Sequence, residues 1–261
     1  MVSLSLGYVI VLTFLHLSII KTGLYDDVYT DLGYENYAER IDSIPGTPVA
    51  MPMNTLVNIG YLAVGLYWLR VFIPLKDFYG ESFSWYSIVY SIIQLSRILL
   101  QTQESAVLDQ WITTTIFSHV LIWIASTHCS AGIITNAVQA LGNKLVILLS
   151  LISYSLSLFF TLGFDASLTV HILLVIGAVL EVQLSHGNSD TMNSLVKALI
   201  CCAGFVVLKV ADLPLREFWT PNCISGHFLS KICDIGQIYY AAQFSYSLKN
   251  YSSRKTIFNK E

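Results

Sequence analysis

The sequence carries little charge. Only 12% of the 261 residues are charged, whereas 54% are hydrophobic and the mean hydropathy is +0.62. A soluble globular domain carries about twice that share of charged residues, so this chain has too little polar surface to cover a water-soluble core. The formal net charge is −3, and the sequence has no basic patch. We therefore expect no nucleic-acid partner.

The cysteines do not form a metal or disulfide framework. There are five, an odd number, and no pair has the C-x-x-C spacing. They are Cys129, Cys201, Cys202, Cys223 and Cys233. Most lie in or beside apolar runs, so we expect free, buried thiols, with a Cys223–Cys233 disulfide as the alternative.

Long apolar runs dominate the chain. A helix needs roughly 20 apolar residues to cross a bilayer, and the first run, Leu4 to Ile20, is of that order. No basic residue precedes it and no small-x-small cleavage pattern follows, so we expect a retained helix over residues 1–21, a signal anchor. The other runs are 52–73, 84–100, 109–127, 144–162, 166–184, 194–212 and 226–247. The predicted fold class is all-α, a polytopic transmembrane bundle of seven helices plus one N-terminal helix.

The distribution of charge predicts the organisation and orientation of the chain. Residues 22–51 form an acidic extramembrane connector, residues 52–247 the bundle, and residues 248–261 a basic tail. The tail holds Lys249, Arg254, Lys255 and Lys260. Because positive charge near helix ends marks the cytosolic side, we expect a cytosolic C-terminus. The organelle stays open.

Ionisable residues inside the apolar runs are the most informative feature. Each costs about 2.5–3.5 kcal/mol on insertion scales and usually faces the bundle interior. His227, Lys231 and Asp234 have the i, i+4, i+7 spacing of one helix face. The candidate site comprises Asn54, Asn58, Arg97, Asp109, Asp212, His227, Ser230, Lys231 and Asp234.

We expect three acids in this set, Asp109, Asp212 and Asp234, to balance three cations in a buried network. The cations are Arg97, Lys209 and Lys231. The alternative is structural: the network only sets helix register, or Asp109 and Asp212 cap helices. Three further polar groups are expected to serve packing or to lie at an interface; these are His119, His171 and Glu181.

Several segments closely resemble the transmembrane protein 187 family, over nearly the whole chain. They are Gly33-Tyr34-Glu35-Asn36-Tyr37-Ala38-Glu39, Ala50-Met51-Pro52-Met53-Asn54-Thr55-Leu56-Val57-Asn58, Ala106-Val107-Leu108-Asp109-Gln110-Trp111, Gly204-Phe205-Val206-Val207-Leu208-Lys209 and Gly226-His227-Phe228-Leu229-Ser230-Lys231-Ile232-Cys233-Asp234. This resemblance implies a multi-pass membrane protein and assigns no mechanism.

A more distant resemblance is to the alkaline ceramidases and their relatives, seven-helix zinc-dependent membrane amidases. It implies a ceramidase-like core in which Asn54 and Asn58 open the bundle. The pattern departs at the metal, because Arg97 and Lys231 occupy positions of zinc-binding histidines and only His227 remains. Cations cannot ligate zinc. We therefore expect no cofactor, with a zinc site of His227, Asp109 and Asp212 as the weak alternative.

The favoured interpretation is a non-catalytic membrane protein, a pseudoenzyme candidate, whose buried charged site binds membrane lipids or a lipid-like ligand. Arg97 and Lys231 would contact the anionic group. One alternative is a membrane hydrolase of lipid amides or esters, resembling alkaline ceramidase, with zinc or with Ser230 and Lys231. A second is a transporter, against which we see no inverted repeat and no broken pair of helices. A scaffolding or receptor role is also open, and protein partners are unknown.

Overall fold

The computed structural model describes residues 3–40, 49–127, 131–214, 216 and 224–258, with the backbone alone for 252–258. Within these ranges the regular structure is helical. The helices are α1 (Leu4–Ile20), α2 (Pro52–Leu56), α3 (Asn58–Leu75), α4 (Phe78–Leu100), α5 (Gln103–Thr127), α6 (Ile133–Leu141), α7 (Asn143–Ser153), α8 (Gly163–His186), α9 (Ser189–Val210) and α10 (Gly226–Phe258). Short 3-10 helices cover Tyr34–Asn36 and Tyr154–Leu158.

Five helices in the described residues are long and apolar enough to cross a membrane, and a sixth span results if the bent pair α6–α7 counts as one. The five are α2–α3 together (Pro52–Leu75), α4, α5, α8 and α9. The all-α, multi-pass prediction is confirmed. The count is lower than the eight predicted runs, because α1 has only 17 residues and α10 carries a polar stripe along its 33.

The chain forms two compact units. The first comprises Met1–Gln110 and Ala198–Tyr239, and the second Trp111–Lys197 and Tyr240–Glu261. The candidate site residues all fall in the first unit.

In the second unit, a sharp break separates α6 from α7. The two helices meet at 96° across Gly142, whose φ of +77° is a backbone conformation that glycine adopts without steric cost. The predicted run 144–162 therefore corresponds to α7, which ends at Ser153, followed by a 3-10 turn. This bent pair of helices was not expected from the sequence.

Glu181 of α8 caps the N-terminus of α6. Its carboxylate oxygens accept hydrogen bonds from the backbone N–H groups of Ile134 at 2.8 Å and Thr135 at 3.0 Å. A side chain at Gly132 would prevent this, since an added Cβ would lie 2.3 Å from Glu181 Cδ. Because the first N–H groups of a helix have no partner within it, the carboxylate satisfies them and favours the helix dipole.

In the first unit, the connector folds onto the ends of α4 and α5. Gln103 accepts from the Thr30 hydroxyl at 2.6 Å and donates to the Val28 carbonyl at 2.6 Å. Gln101 accepts from the Gly33 N–H at 3.0 Å. Inward side chains such as Val28 and Thr30 are buried, whereas the acidic Asp26, Asp27 and Asp31 are exposed. The connector therefore covers this end of the unit and presents these three acids outward.

Candidate functional site: a buried lysine with neutral partners

Lys231 is buried in the first unit, in the second turn of α10. Only 4% of it is exposed. Its ammonium Nζ contacts Asn58 Oδ1 at 3.4 Å and the Asn54 carbonyl at 3.5 Å. Both partners are neutral and both distances are beyond the usual range for such bonds. Among the described residues, Lys231 has no carboxylate within 4.0 Å.

Two asparagines bring acceptors to Lys231 because the helix is interrupted between α2 and α3. The Asn58 side-chain N–H₂ donates to the carbonyls of Asn54 at 3.1 Å and Thr55 at 3.2 Å. These carbonyls lie at the end of the short helix α2. With its amide nitrogen committed there, Asn58 turns Oδ1 towards Lys231. Asn54 and Asn58 are four positions apart, so both lie on the same face of the helical segment.

Glu39 of the connector fixes Asn54 in place. Its Oε1 accepts from the Met53 N–H at 2.9 Å, and its Oε2 accepts from both the Asn54 N–H at 2.9 Å and the Asn54 side-chain Nδ2 at 2.7 Å. The bond to Nδ2 orients the amide, and Asn54 Oδ1 is then buried with no hydrogen-bond partner. Sequence reasoning named Glu39 only as one of the connector acids. No local spacing signals this role, because the contact spans fifteen positions.

Asp109 and Asp234, predicted to balance the cations, bind neutral donors instead. Tyr61 donates its hydroxyl to Asp234 Oδ2 at 2.8 Å, and Gln94 donates Nε2 to Asp109 Oδ1 at 2.5 Å. Both aspartates are half-buried. Their charges still act on Lys231 through space, although neither lies within 4.0 Å of it. Tyr61 was not identified from the sequence, because its position in an apolar run is typical of ordinary helix packing.

Asp212 is a helix cap. Its Oδ1 accepts from the His227 N–H at 2.8 Å, in the first turn of α10, and its Oδ2 accepts from the Ala38 N–H at 2.9 Å. It therefore ties the connector to the start of the helix that carries Lys231. Lys209, one of the three cations expected to balance the acids, is exposed, with Nζ 5.8 Å from the ring centre of Phe205. Of the two interpretations of Asp212, the capping role is the one that the geometry supports.

His227 and Ser230 are occupied by packing and by the helix backbone. The His227 ring meets the ring of Tyr37 edge-on, with 4.8 Å between centroids. Burial raises the pKa of the Tyr37 phenol, so Tyr37 stays neutral at physiological pH. The Ser230 hydroxyl donates to the His227 carbonyl at 2.7 Å. This bond directs the hydroxyl along its own helix and away from the neighbouring Lys231.

Arg97, in the last turn of α4, is the second buried cation, with 6% of it exposed. Its Nη2 donates to the backbone carbonyl of Asp31 in the connector. Its Nη1 is buried without a hydrogen-bond partner. The charges of Lys231, Lys209 and Arg97 all act at His227, so the polar region around His227 has three cations nearby.

The residues of this region do not fit zinc. Zinc takes three or four thiolate, imidazole or carboxylate donors, and no group of three His, Cys, Asp or Glu residues in the described parts of the chain could hold a metal ion. His227 supplies the only imidazole of the candidate set. Both oxygens of Asp212 accept from backbone N–H groups, so the combination of His227, Asp109 and Asp212 lacks a third available donor.

Comparison with known proteins gives the family. The sequence profile described as the TMEM187 protein family matches residues 5–246. The chain belongs to this family. The bovine (Bos taurus) transmembrane protein 187 is 36% identical over 240 residues, which cover 88% of this chain and 90% of the bovine protein. The human (Homo sapiens) protein of the same name is 33% identical over 228 residues, covering 85% and 84%.

Membership of the TMEM187 family confirms the predicted resemblance and, with the apolar helices, an integral multi-pass membrane protein. No solved structure matches this chain. The ceramidase-like core therefore stays a prediction.

Proposed function

We propose that the polar region around Lys231 binds the anionic headgroup of a lipid-like ligand, with Lys231 as the principal contact and Arg97 as the second. Lys231 is the observation that carries the proposal. A lysine ammonium has three donors, and here they meet only two neutral oxygens at 3.4 and 3.5 Å. A buried charge without a close counter-charge is costly. An anionic group would supply both the charge and the missing acceptors.

The acids of the site accept hydrogen bonds from groups other than Lys231, which supports the proposal. Asp234 accepts from Tyr61, Asp109 accepts from Gln94, and Asp212 caps α10. None approaches Lys231 within 4.0 Å. The ammonium donors are therefore available for a ligand.

The surroundings favour a membrane-derived ligand and binding over catalysis. The connector covers one end of the unit through Gln101, Gln103 and Arg97. We therefore expect the ligand to come from the bilayer. The described residues offer no poised nucleophile beside Lys231, because the Ser230 hydroxyl donates to its own helix. We therefore propose a binding protein that works without a cofactor.

The test is lipid occupancy of the purified protein. Native mass spectrometry of the detergent-solubilised chain would compare the wild type with Lys231→Met and with Lys76→Met, a matched control that removes an exposed lysine from the same unit. Loss of a charge-assisted hydrogen bond lowers affinity by roughly tenfold or more, so Lys231→Met should lose bound anionic lipid. Equal occupancy in Lys231→Met and Lys76→Met would overturn the proposal.

We also propose that the C-terminus faces the cytosol. The support is the basic tail with Lys249, Arg254, Lys255 and Lys260, since lysine and arginine near helix ends concentrate on the cytosolic side. A glycosylation tag appended to the C-terminus should stay unmodified in cells. Its glycosylation would reverse the orientation.

A further inference from the structure

Asn54 presents an acceptor that nothing in the described structure satisfies. Its side chain is fully buried, at 0% exposure, and Oδ1 has no hydrogen-bond partner. Rotating the amide would not resolve this, because Nδ2 is held at 2.7 Å from Glu39 Oε2, and a rotated amide would set oxygen against a carboxylate. An unsatisfied buried acceptor is rare and costly.

This acceptor belongs to the same residue whose backbone carbonyl contacts Lys231. The Asn54 carbonyl lies 3.5 Å from Lys231 Nζ, so the unmet acceptor belongs to a residue that Lys231 itself contacts. One occupant that satisfies both must carry an acceptor or negative charge for the ammonium and, next to it, a hydrogen-bond donor for the amide oxygen.

We propose, on the basis of the headgroup site above, that the ligand is a phospholipid whose headgroup bears a hydrogen-bond donor beside its phosphate. The phosphate pairs with Lys231 and the donor, a hydroxyl or an ammonium, binds Asn54 Oδ1. Asn54 is then the residue that determines headgroup specificity. It distinguishes lipids that share the same phosphodiester and acyl chains.

Three lipids with identical acyl chains test this directly. Phosphatidylglycerol offers hydroxyl donors, phosphatidylethanolamine offers an ammonium, and phosphatidylmethanol has the phosphodiester with no donor. Dissociation constants would be measured by titration of the full-length protein in detergent, read by native mass spectrometry. We expect phosphatidylglycerol or phosphatidylethanolamine to bind roughly tenfold more tightly than phosphatidylmethanol, the factor for a buried acceptor left unsatisfied. Which of the two binds more tightly identifies the donor.

Two substitutions separate this inference from the proposal on which it rests. Asn54→Leu should abolish the preference while phosphatidylmethanol still binds, and Lys231→Met should weaken all three lipids. Equal binding of the three by the wild type would overturn the donor requirement, and this comparison does not depend on the folding of any variant. Phosphatidylmethanol binding that ignores Lys231→Met would instead overturn the headgroup site itself.

Discussion

Glu39 and Asn54, fifteen positions apart, are joined by two hydrogen bonds to one carboxylate oxygen. The same pattern recurs in this chain: the carboxylates of Glu39, Glu181 and Asp212 each accept from two backbone N–H groups, at least one of them in the first turn of a helix. Asp212, which the sequence analysis set against the cations, thus binds the backbone. This division explains how Lys231 comes to lie buried with only neutral contacts.

Replacement of Glu39 tests its role as a cap. Glu39→Gln keeps the shape but removes the charge and exchanges one acceptor for a donor, so we expect the free energy of unfolding to fall by about 2 kcal/mol, the range for a charge-assisted hydrogen bond. The measurement is thermal unfolding in detergent. Glu35→Gln is the control, since Glu35 is exposed in the same connector and its replacement should leave the midpoint unchanged. Equal midpoints for both variants would argue against the cap.

Asp212 should couple the connector to α10. In Asp212→Ala the amides of Ala38 and His227 both lose their acceptor, and we expect their hydrogen exchange to accelerate by roughly tenfold or more. Hydrogen–deuterium exchange with mass spectrometry reads both segments in one experiment. Asp26→Ala, which alters an exposed acid, should change neither. Acceleration at only one of the two amides would show that the bridge is not formed.

Gly132 should be intolerant of a side chain. Gly132→Ala places a Cβ 2.3 Å from Glu181 Cδ, so Glu181 must leave the N-terminus of α6, and the loss of a cap costs about 1 kcal/mol. Thermal unfolding would compare it with Gly7→Ala, where an added Cβ meets nothing within 4 Å. Alanine is favoured over glycine in a helix interior, so Gly7→Ala should be neutral or slightly stabilising. A neutral Gly132→Ala would contradict the capping geometry.

Zinc content should be low and independent of His227. The donor set around Lys231 lacks the three ligands that zinc requires, so elemental analysis of the purified protein should find zinc far below one ion per chain. His227→Ala should not change that value. About one zinc per chain, lost in His227→Ala, would instead favour the metal-dependent hydrolase.

The spanning helices were predictable because bilayer crossing requires long apolar runs. The runs 52–73 and 166–184 lie within Pro52–Leu75 and Gly163–His186, since the hydrophobic effect acts on every residue of such a run. The break at Gly142 was missed because helix α6 (Ile133–Leu141) lies between the predicted runs 109–127 and 144–162 and was not predicted. The break is visible in the structure from the φ of +77° at Gly142 and from the capping of α6 by Glu181 of α8.

Helical spacing in the sequence shows which candidate residues share a face, but it does not determine their contacts. Helical spacing placed Asn54 and Asn58 on one face and His227 and Lys231 on another, which follows from the 3.6-residue repeat. Which donor meets which acceptor depends on contacts between distant segments, such as the 173 positions that separate Tyr61 from Asp234. Charge balance alone does not determine these hydrogen-bond pairs.

An experimental structure of the lipid-bound protein tests the central claim most directly. A cryo-electron microscopy map of the full chain in lipid nanodiscs containing phosphatidylglycerol and phosphatidylethanolamine should show headgroup density within hydrogen-bond distance of Lys231 Nζ. We expect a phosphate beside Lys231 Nζ, with Asp109 still bound to Gln94 and Asp234 still bound to Tyr61. A direct ion pair between Lys231 and either aspartate, with no headgroup density beside it, would contradict the account.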